Sequence, residues 1–127
     1  MTPTLHIITG PPGSGKSTLA RSLELPVYDN DLGNRDDFQT ASPKVEAALT
    51  VTAPSHKQKE FWCRQAELAG YRPKLYCIWL SKMQTFVRMK ARSGLAKDES
   101  NTSDKWVHDW YKKYTRHPQE ERLSARS

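Results

Sequence analysis

GPPGSGKS, residues 10–17, is the stretch that decides how the rest of this chain is read. Gly10, Gly15, Lys16 and Ser17 meet the pattern GxxxxGK[ST], and the context matters as much as the letters. LHIIT (5–9) before it is a short apolar run that reads as a buried strand. GKSTLARSLEL after it has helical spacing, with Leu19, Ala20 and Leu23 on one side. Between a strand and a helix, glycines let the backbone wrap closely around a phosphate with its N–H groups turned inward. The helix N-terminus adds partial positive charge. The loop, comprising Gly10, Pro11, Pro12, Gly13, Ser14, Gly15, Lys16, Ser17 and Thr18, is therefore expected to hold a nucleotide. Lys16 would bridge the β- and γ-phosphates, Ser17 would ligate Mg²⁺, and Thr18 would stand near the α-phosphate. ATP and Mg²⁺ are the expected ligands.

Outward from the loop, strands and helices alternate. Pro26 closes the first helix, and PVYDND reads as a second strand with acids at its exit. LGNRDDFQTA is loop-like, Ser42 before Pro43 signals a helix start, and ALTVT (48–52) reads as a third strand. SHKQ (55–58) has capping-box spacing and opens a helix that Gly70 stops, with Phe61, Trp62, Ala66 and Ala69 toward the core. KLYCIWL (74–80) is a fourth strand, apolar enough to be covered on both faces. SKMQ starts another helix, through about Ser93. A polar, glycine-led stretch at 94–103 follows, and a last helix over about 104–116 carries Val107, Trp110, Tyr111 and Tyr114. This order predicts a three-layer α/β/α fold of the P-loop NTPase kind around a short, about four-stranded parallel sheet with right-handed crossovers. One domain is expected over residues 1–118, with a lid near 93–104 and a flexible tail at 119–127.

The bulk numbers agree with one modest domain. The chain has 127 residues, 27% of them charged, and a net charge of +6, which favours anionic partners. Cys63 and Cys77 lack CxxC spacing and read as a reduced pair, with neither a zinc site nor a disulfide framework. The N-terminus lacks the features of a signal peptide, and LYCIWL (75–80) is far too short to span a bilayer. A cytoplasmic protein is expected.

Phosphoryl transfer needs an orienting carboxylate for the acceptor and positive charge on the transferring group. In an open parallel sheet, ligands sit at the carboxyl ends of strands, where YDND lies. Asp29 and Asp31, two apart on an extended chain, would point the same way. Asp31 is expected to meet the acceptor hydroxyl and Asp29 to hold Mg²⁺ or a water. Arg88 and Arg92 are four apart on one helix face, at the hinge of the expected lid, and would stabilise charge on the γ-phosphate. The C-terminal part interleaves bases and aromatics (Lys105, Trp106, His108, Trp110, Tyr111, Lys112, Lys113, Tyr114, Arg116). That pattern suits single-stranded nucleic acid, although a stripe at helical spacing is equally the mark of core packing.

Taken together, GPPGSGKSTLAR, YDNDLGNRDDF, the long stretch LTVTAPSHKQKEFWCRQAELAGYRPKLYCIWL, RMKARSG and VHDWYKKYTRHPQEE resemble the P-loop kinases of the polynucleotide 5′-kinase and zeta-toxin group across nearly the whole chain. Small members of that group are frequent in bacteriophages, so the resemblance places the chain in a bacterial or phage-infected cell. It implies ATP- and Mg²⁺-dependent transfer of a γ-phosphate to a hydroxyl. The acceptor is a DNA or RNA 5′ end in the polynucleotide kinases and a sugar nucleotide in zeta toxins. NRDDF (34–38) matches a string in such kinases that would nominate Asp36 rather than Asp31 as the acceptor acid, with Arg35 touching acceptor phosphate in either register. The chain departs from the group where an acid usually follows strand three. Thr52, Ala53 and Pro54 stand there, so Asp29 would have to substitute, and His56, Lys57 and Lys59 replace the usual basic residue of that turn. The reading left standing is a kinase for a nucleic-acid end or nucleotide. The alternatives are a small-molecule kinase of the same fold and a nucleotide-binding regulator with little chemistry.

Overall fold

Alternation along the strands sets the layers. In β1 (Thr4–Thr9) Leu5 and Ile7 bury toward one side and Ile8 toward the other. In β3 (Ala47–Val51) Ala47, Leu49 and Val51 join the first set and Ala48 the second. The first side is packed by α2 (His56–Leu68) through Cys63 and Ala66, the second by α1 (Lys16–Ser22) through Ala20 and Leu19. Two separate apolar cores on the two faces of one sheet make the three layers. These relations come from a computed structural model, which describes residues 2–11, 14–30, 32–79 and 108–124.

The sheet has five parallel strands in the order β2-β3-β1-β4-β5, with β2 at Val27–Asp29, β4 at Arg72–Trp79 and β5 at Glu121–Ser124. β1 is central and in register with Ile8 opposite both Thr50 and Tyr76. Sequential elements therefore end at the same carboxyl edge, where the loop after Thr9 begins.

Local signals account for most of these elements. Ser55 accepts from the Gln58 N–H while the Gln58 side chain takes the Ser55 N–H, the predicted capping box of α2. Gly70, at φ +96°, ends that helix in the left-handed conformation that favours glycine. β2 is an edge strand, and Asn34 covers it: its Oδ1 accepts the Asp29 N–H at 2.9 Å and its Nδ2 donates to the Val27 carbonyl at 3.0 Å. The amide side chain thus does what another strand would do.

Four expectations need correction. Residues 121–124, inside the expected tail, form β5 and make the sheet five-stranded instead of four. No helix follows Ser42 and Pro43; β3 starts at Ala47, leaving too few residues for a turn of helix. The expected loop over 32–41 instead contains a 3₁₀ helix, Arg35–Gln39. Its Phe38 is fully buried among Tyr28, Trp62 and Tyr71, and Lys44 closes its end by donating to the Phe38, Gln39 and Ala41 carbonyls. Finally, Phe61 and Leu23 are 52% and 40% exposed: Phe61 lies off the stripe that Cys63 and Ala66 bury, and Leu23 falls beyond the end of α1 at Ser22. Residues 108–113 are helical, within the expected last helix, and Trp110 is buried against Tyr111 and Tyr114 as core packing. The expected helix through Ser93, the lid at 93–104 and Val107 lie outside the described residues. Among the described residues, no helix is long and apolar enough to cross a membrane.

The C-terminal strand is held by a buried charge. Lys59, in the first turn of α2, has no exposed side-chain surface; its ammonium donates to Glu120 Oε1 at 2.8 Å and to the Thr115 carbonyl at 2.9 Å. The other donors to Glu120 are the His117 N–H at 2.6 Å and the Tyr114 hydroxyl at 3.0 Å. His117 then ties back to α2. The Gln119 N–H donates to its Nδ1, so Nε2 carries the proton and donates to Glu60 at 2.8 Å. Burial alone would push the Glu120 pKa up; the Lys59, His117 and Tyr114 donors outweigh that and hold it below the usual glutamate range. Cys63 and Cys77 lie in the same packed interior, and burial pushes each thiol up to about 11, which leaves both as inert core groups.

Removing Glu120 alone should therefore be severe. Glu120→Ala is expected to destabilise the protein by about 3–5 kcal/mol, because Lys59 would stay buried without its counter-charge. Lys59→Met combined with Glu120→Leu should be much milder. Glu120 has the lower pKa when folded, so its contribution is complete above about pH 4.3 and fades as pH falls through the folded value. Urea unfolding at neutral pH and at successively lower pH checks this: the deficit of Glu120→Gln should shrink as the parent protonates.

Candidate active site

The loop leaves β1 at Gly10 and enters α1 at Lys16. Gly10 is enclosed. A Cβ there would stand 2.7 Å from Ser14 Oγ and 3.3 Å from both Cβ and the carbonyl oxygen of Ile78. Gly15 caps α1 at φ +92°, a left-handed conformation that costs other residues about 1–2 kcal/mol. The Ser14 N–H closes the turn onto the Pro11 carbonyl at 3.1 Å. Lys16 folds back over the loop, its Nζ donating to the carbonyls of Gly10 and Pro11 at 3.2 and 3.1 Å.

Ser14 is 1% exposed, and its Oγ has no hydrogen-bond partner among the described residues. A buried hydroxyl without a partner asks for an explanation. An anion seated in the loop would supply an acceptor for it. The enclosed Gly10, the left-handed Gly15 and this hydroxyl together fit a phosphate group.

Ser17 and Asp29, expected at the metal, are in contact. Ser17 Oγ donates to Asp29 Oδ2 at 2.5 Å, and Thr50 Oγ1 donates to the same oxygen at 2.6 Å. Asp29 is 5% exposed at the last position of β2, and Val27, Asp29, Ala48 and Thr50 lie on the α1 side of the sheet. One carboxylate and one hydroxyl are hard oxygen donors, which suit Mg²⁺ completed by waters and substrate phosphates. A cage of three or more His, Cys, Asp or Glu is absent among the described residues, and Mg²⁺ does not require one.

The remaining predicted residues are placed differently. Thr18 is exposed on α1. Pro12, Gly13, Asp31, Arg88 and Arg92 lie outside the described residues. β2 ends at Asp29 and the chain turns there, the Leu32 and Asn34 N–H groups both donating to the Asp29 carbonyl, so the extended run assumed for 29–31 stops one residue into it. Arg35 and Asp36 sit on the 3₁₀ helix, paired with each other at 3.3 Å. The Arg35 guanidinium lies 5.2 Å over the Trp62 ring of α2.

The turn after β3, where an acid is missing, is occupied by the C-terminal segment. Trp110 Nε1 donates to the Thr52 carbonyl, and the Thr115 N–H donates to the Pro54 carbonyl at 2.9 Å. Ala53 and Pro54 are buried there. Lys59, one of the three bases read into this turn, is the buried partner of Glu120 and faces away from solvent. Sequence reasoning missed Thr50 and Asn34. A threonine inside a strand is ordinary, and only its register opposite Asp29 singles it out.

A parallel sheet in the order 2-3-1-4-5 with a GxxxxGK[ST] loop between its central strand and first helix is the P-loop NTPase fold. Solved structures agree. A gluconokinase from Sinorhizobium meliloti 1021 superposes with a TM-score of 0.68 at 11% identity, covering 99% of this chain and 85% of its own. A protein of Chloroflexus aurantiacus j-10-fl, provisionally named a kinase, superposes with a TM-score of 0.67 at 16% identity, over 97% of this chain and 85% of its own. At these identities the likeness establishes the fold. No protein family model matches the chain, and no curated protein matches it in sequence.

Gly10→Ala tests the enclosure of the loop. The added methyl must displace Ser14 or the Ile78 strand. ATP affinity measured by calorimetry should fall by about tenfold or more, the equivalent of about 1.4 kcal/mol. An unaltered affinity would show that the loop is not closed around its ligand.

Proposed function

We propose that this chain is an ATP-dependent phosphotransferase that moves the γ-phosphoryl group of ATP to an acceptor hydroxyl. The observation that carries the reading is the phosphate loop with its Ser17–Asp29 contact at the carboxyl edge of a parallel sheet. The loop amides and Ser14 Oγ would bind phosphate oxygens. Lys16 would exchange the Gly10 and Pro11 carbonyls for the β- and γ-phosphates, a short movement of a flexible side chain. Ser17 and Asp29 would hold Mg²⁺, which when bound offsets phosphate charge. Asp31 would orient the acceptor hydroxyl and take its proton as the new O–P bond forms and the bond to the departing ADP breaks. Arg88 and Arg92 would stabilise the transferring group. Arg35 and Asp36 are assigned the acceptor's outer contacts, with Asp36 the alternative acid.

For the acceptor, a small hydroxylated molecule is the reading that the fold comparison supports, since one neighbour is a gluconokinase. A nucleic-acid 5′ end or a nucleotide is the second reading, supported by the net charge of +6 and by the resemblance to polynucleotide kinases. The buried Trp110 takes one ring out of the aromatic platform that nucleic-acid binding would use.

Label transfer from γ-labelled ATP to a panel of polyols, sugar acids, nucleosides, sugar nucleotides and DNA or RNA with free 5′-hydroxyls tests both. Lys16→Ala should lower transfer by at least about a hundredfold, as removal of a charge-stabilising donor does. Undiminished transfer by Lys16→Ala would overturn the mechanism. ATP binding without transfer to any acceptor would favour a nucleotide-binding regulator.

A further inference from the structure

We propose that Thr50 is a positioning residue that sets Asp29 for the metal, and that the two together replace the acid missing after β3. The inference rests on the reading of the loop as a Mg²⁺–nucleotide site.

The register carries it. Across the sheet, Asp29 of β2, Thr50 of β3 and Ile8 of β1 stand side by side. Strands are about 4.8 Å apart, so Asp29 starts roughly 10 Å from the line of β1 that feeds the loop. Its carboxylate must lean inward across β3 to reach Ser17. Thr50 is the residue it leans over. It is 4% exposed, its hydroxyl donates to Oδ2 at 2.6 Å, and that is the oxygen Ser17 uses at 2.5 Å. A β-branched residue on a strand has few χ1 choices, so the donor is held in place. Asn34 holds the other end of Asp29 by accepting its backbone N–H. β3 itself supplies no carboxylate: Thr52, Ala53 and Pro54 follow it, and the carbonyls of Thr52 and Pro54 bond Trp110 and Thr115 of the C-terminal segment. An aspartate one strand further out, steadied by a hydroxyl on the intervening strand, supplies an oxygen to the same place. Groups that orient a metal ligand in this way are worth about 10- to 100-fold in metal affinity when removed.

The test is calorimetry of ATP with Mg²⁺ and of ATP with EDTA, on the parent, Thr50→Val and Thr50→Ser, with thermal unfolding alongside. Valine keeps the shape and β-branching and removes the donor. Thr50→Val should lose about 10- to 100-fold of the Mg²⁺-dependent gain in affinity while metal-free ATP binds as in the parent. Thr50→Ser should restore the gain. A full Mg²⁺-dependent gain in Thr50→Val overturns the proposal. So does a loss equal in both arms that follows a fall in unfolding temperature, since that marks a purely structural hydroxyl. If valine prevents folding, Thr50→Ala is read by the same criteria. A parent that binds ATP equally with and without Mg²⁺ overturns this proposal alone; a parent that binds neither form overturns the proposed function as well.

Discussion

One carboxylate oxygen, Asp29 Oδ2, joins three elements. It receives the hydroxyl of Ser17 from α1 and that of Thr50 from β3, while its own backbone belongs to β2. A carboxylate buried to 5% exposure is costly unless donors surround it. The position of α1 over the sheet is therefore constrained from its first turn, by Ser17, as well as from its middle, by Ala20. The loop joins that anchor to β1, and its ends need glycine: Gly10 is too enclosed for a Cβ and Gly15 is left-handed.

The opposite face of the sheet depends on a different polar group. There the apolar contacts of Cys63 and Ala66 hold α2 to β1, β3 and β4, but the last strand is brought in by charge. Lys59 and Glu120 are each worthless alone in that interior, and together they satisfy each other, the Thr115 carbonyl, the His117 N–H and the Tyr114 hydroxyl. Such a pair contributes direction more than energy. It specifies which segment lies against α2, and so places Glu121 beside Tyr76 and starts β5.

This contrast explains how much could be read from the letters. The first strand, the loop and α1, the capping box at Ser55 and Gln58, and the apolar fourth strand are written in contiguous residues, and each was legible. Within the site, the nearness of Asp29 to the loop was legible from placing strand ends on one edge, and its direct bond to Ser17 was not. β5 was not legible, because ERLS has no apolar run and becomes a strand only when Glu120 finds Lys59 sixty-one positions earlier. Phe38 hid in a stretch dominated by Asp, Asn and Arg, although three aromatic neighbours make it a fully buried anchor. Thr50 was invisible for a related reason: its importance lies in register across strands, a property that no single segment carries.

The two polar anchors also divide the carboxyl edge of the sheet between them. Beyond β3 the turn of Thr52 to Pro54 is closed by Trp110 and Thr115, members of the same C-terminal segment that Glu120 docks. The bonds engage the backbone of that turn and leave the Thr52 side chain exposed, whereas Asp29, one strand outward, is buried on the α1 side of the sheet. The same carboxyl edge thus carries two different polar arrangements: the C-terminal segment bonded to the backbone of the turn after β3, and an acid on the neighbouring strand steadied by the Thr50 hydroxyl.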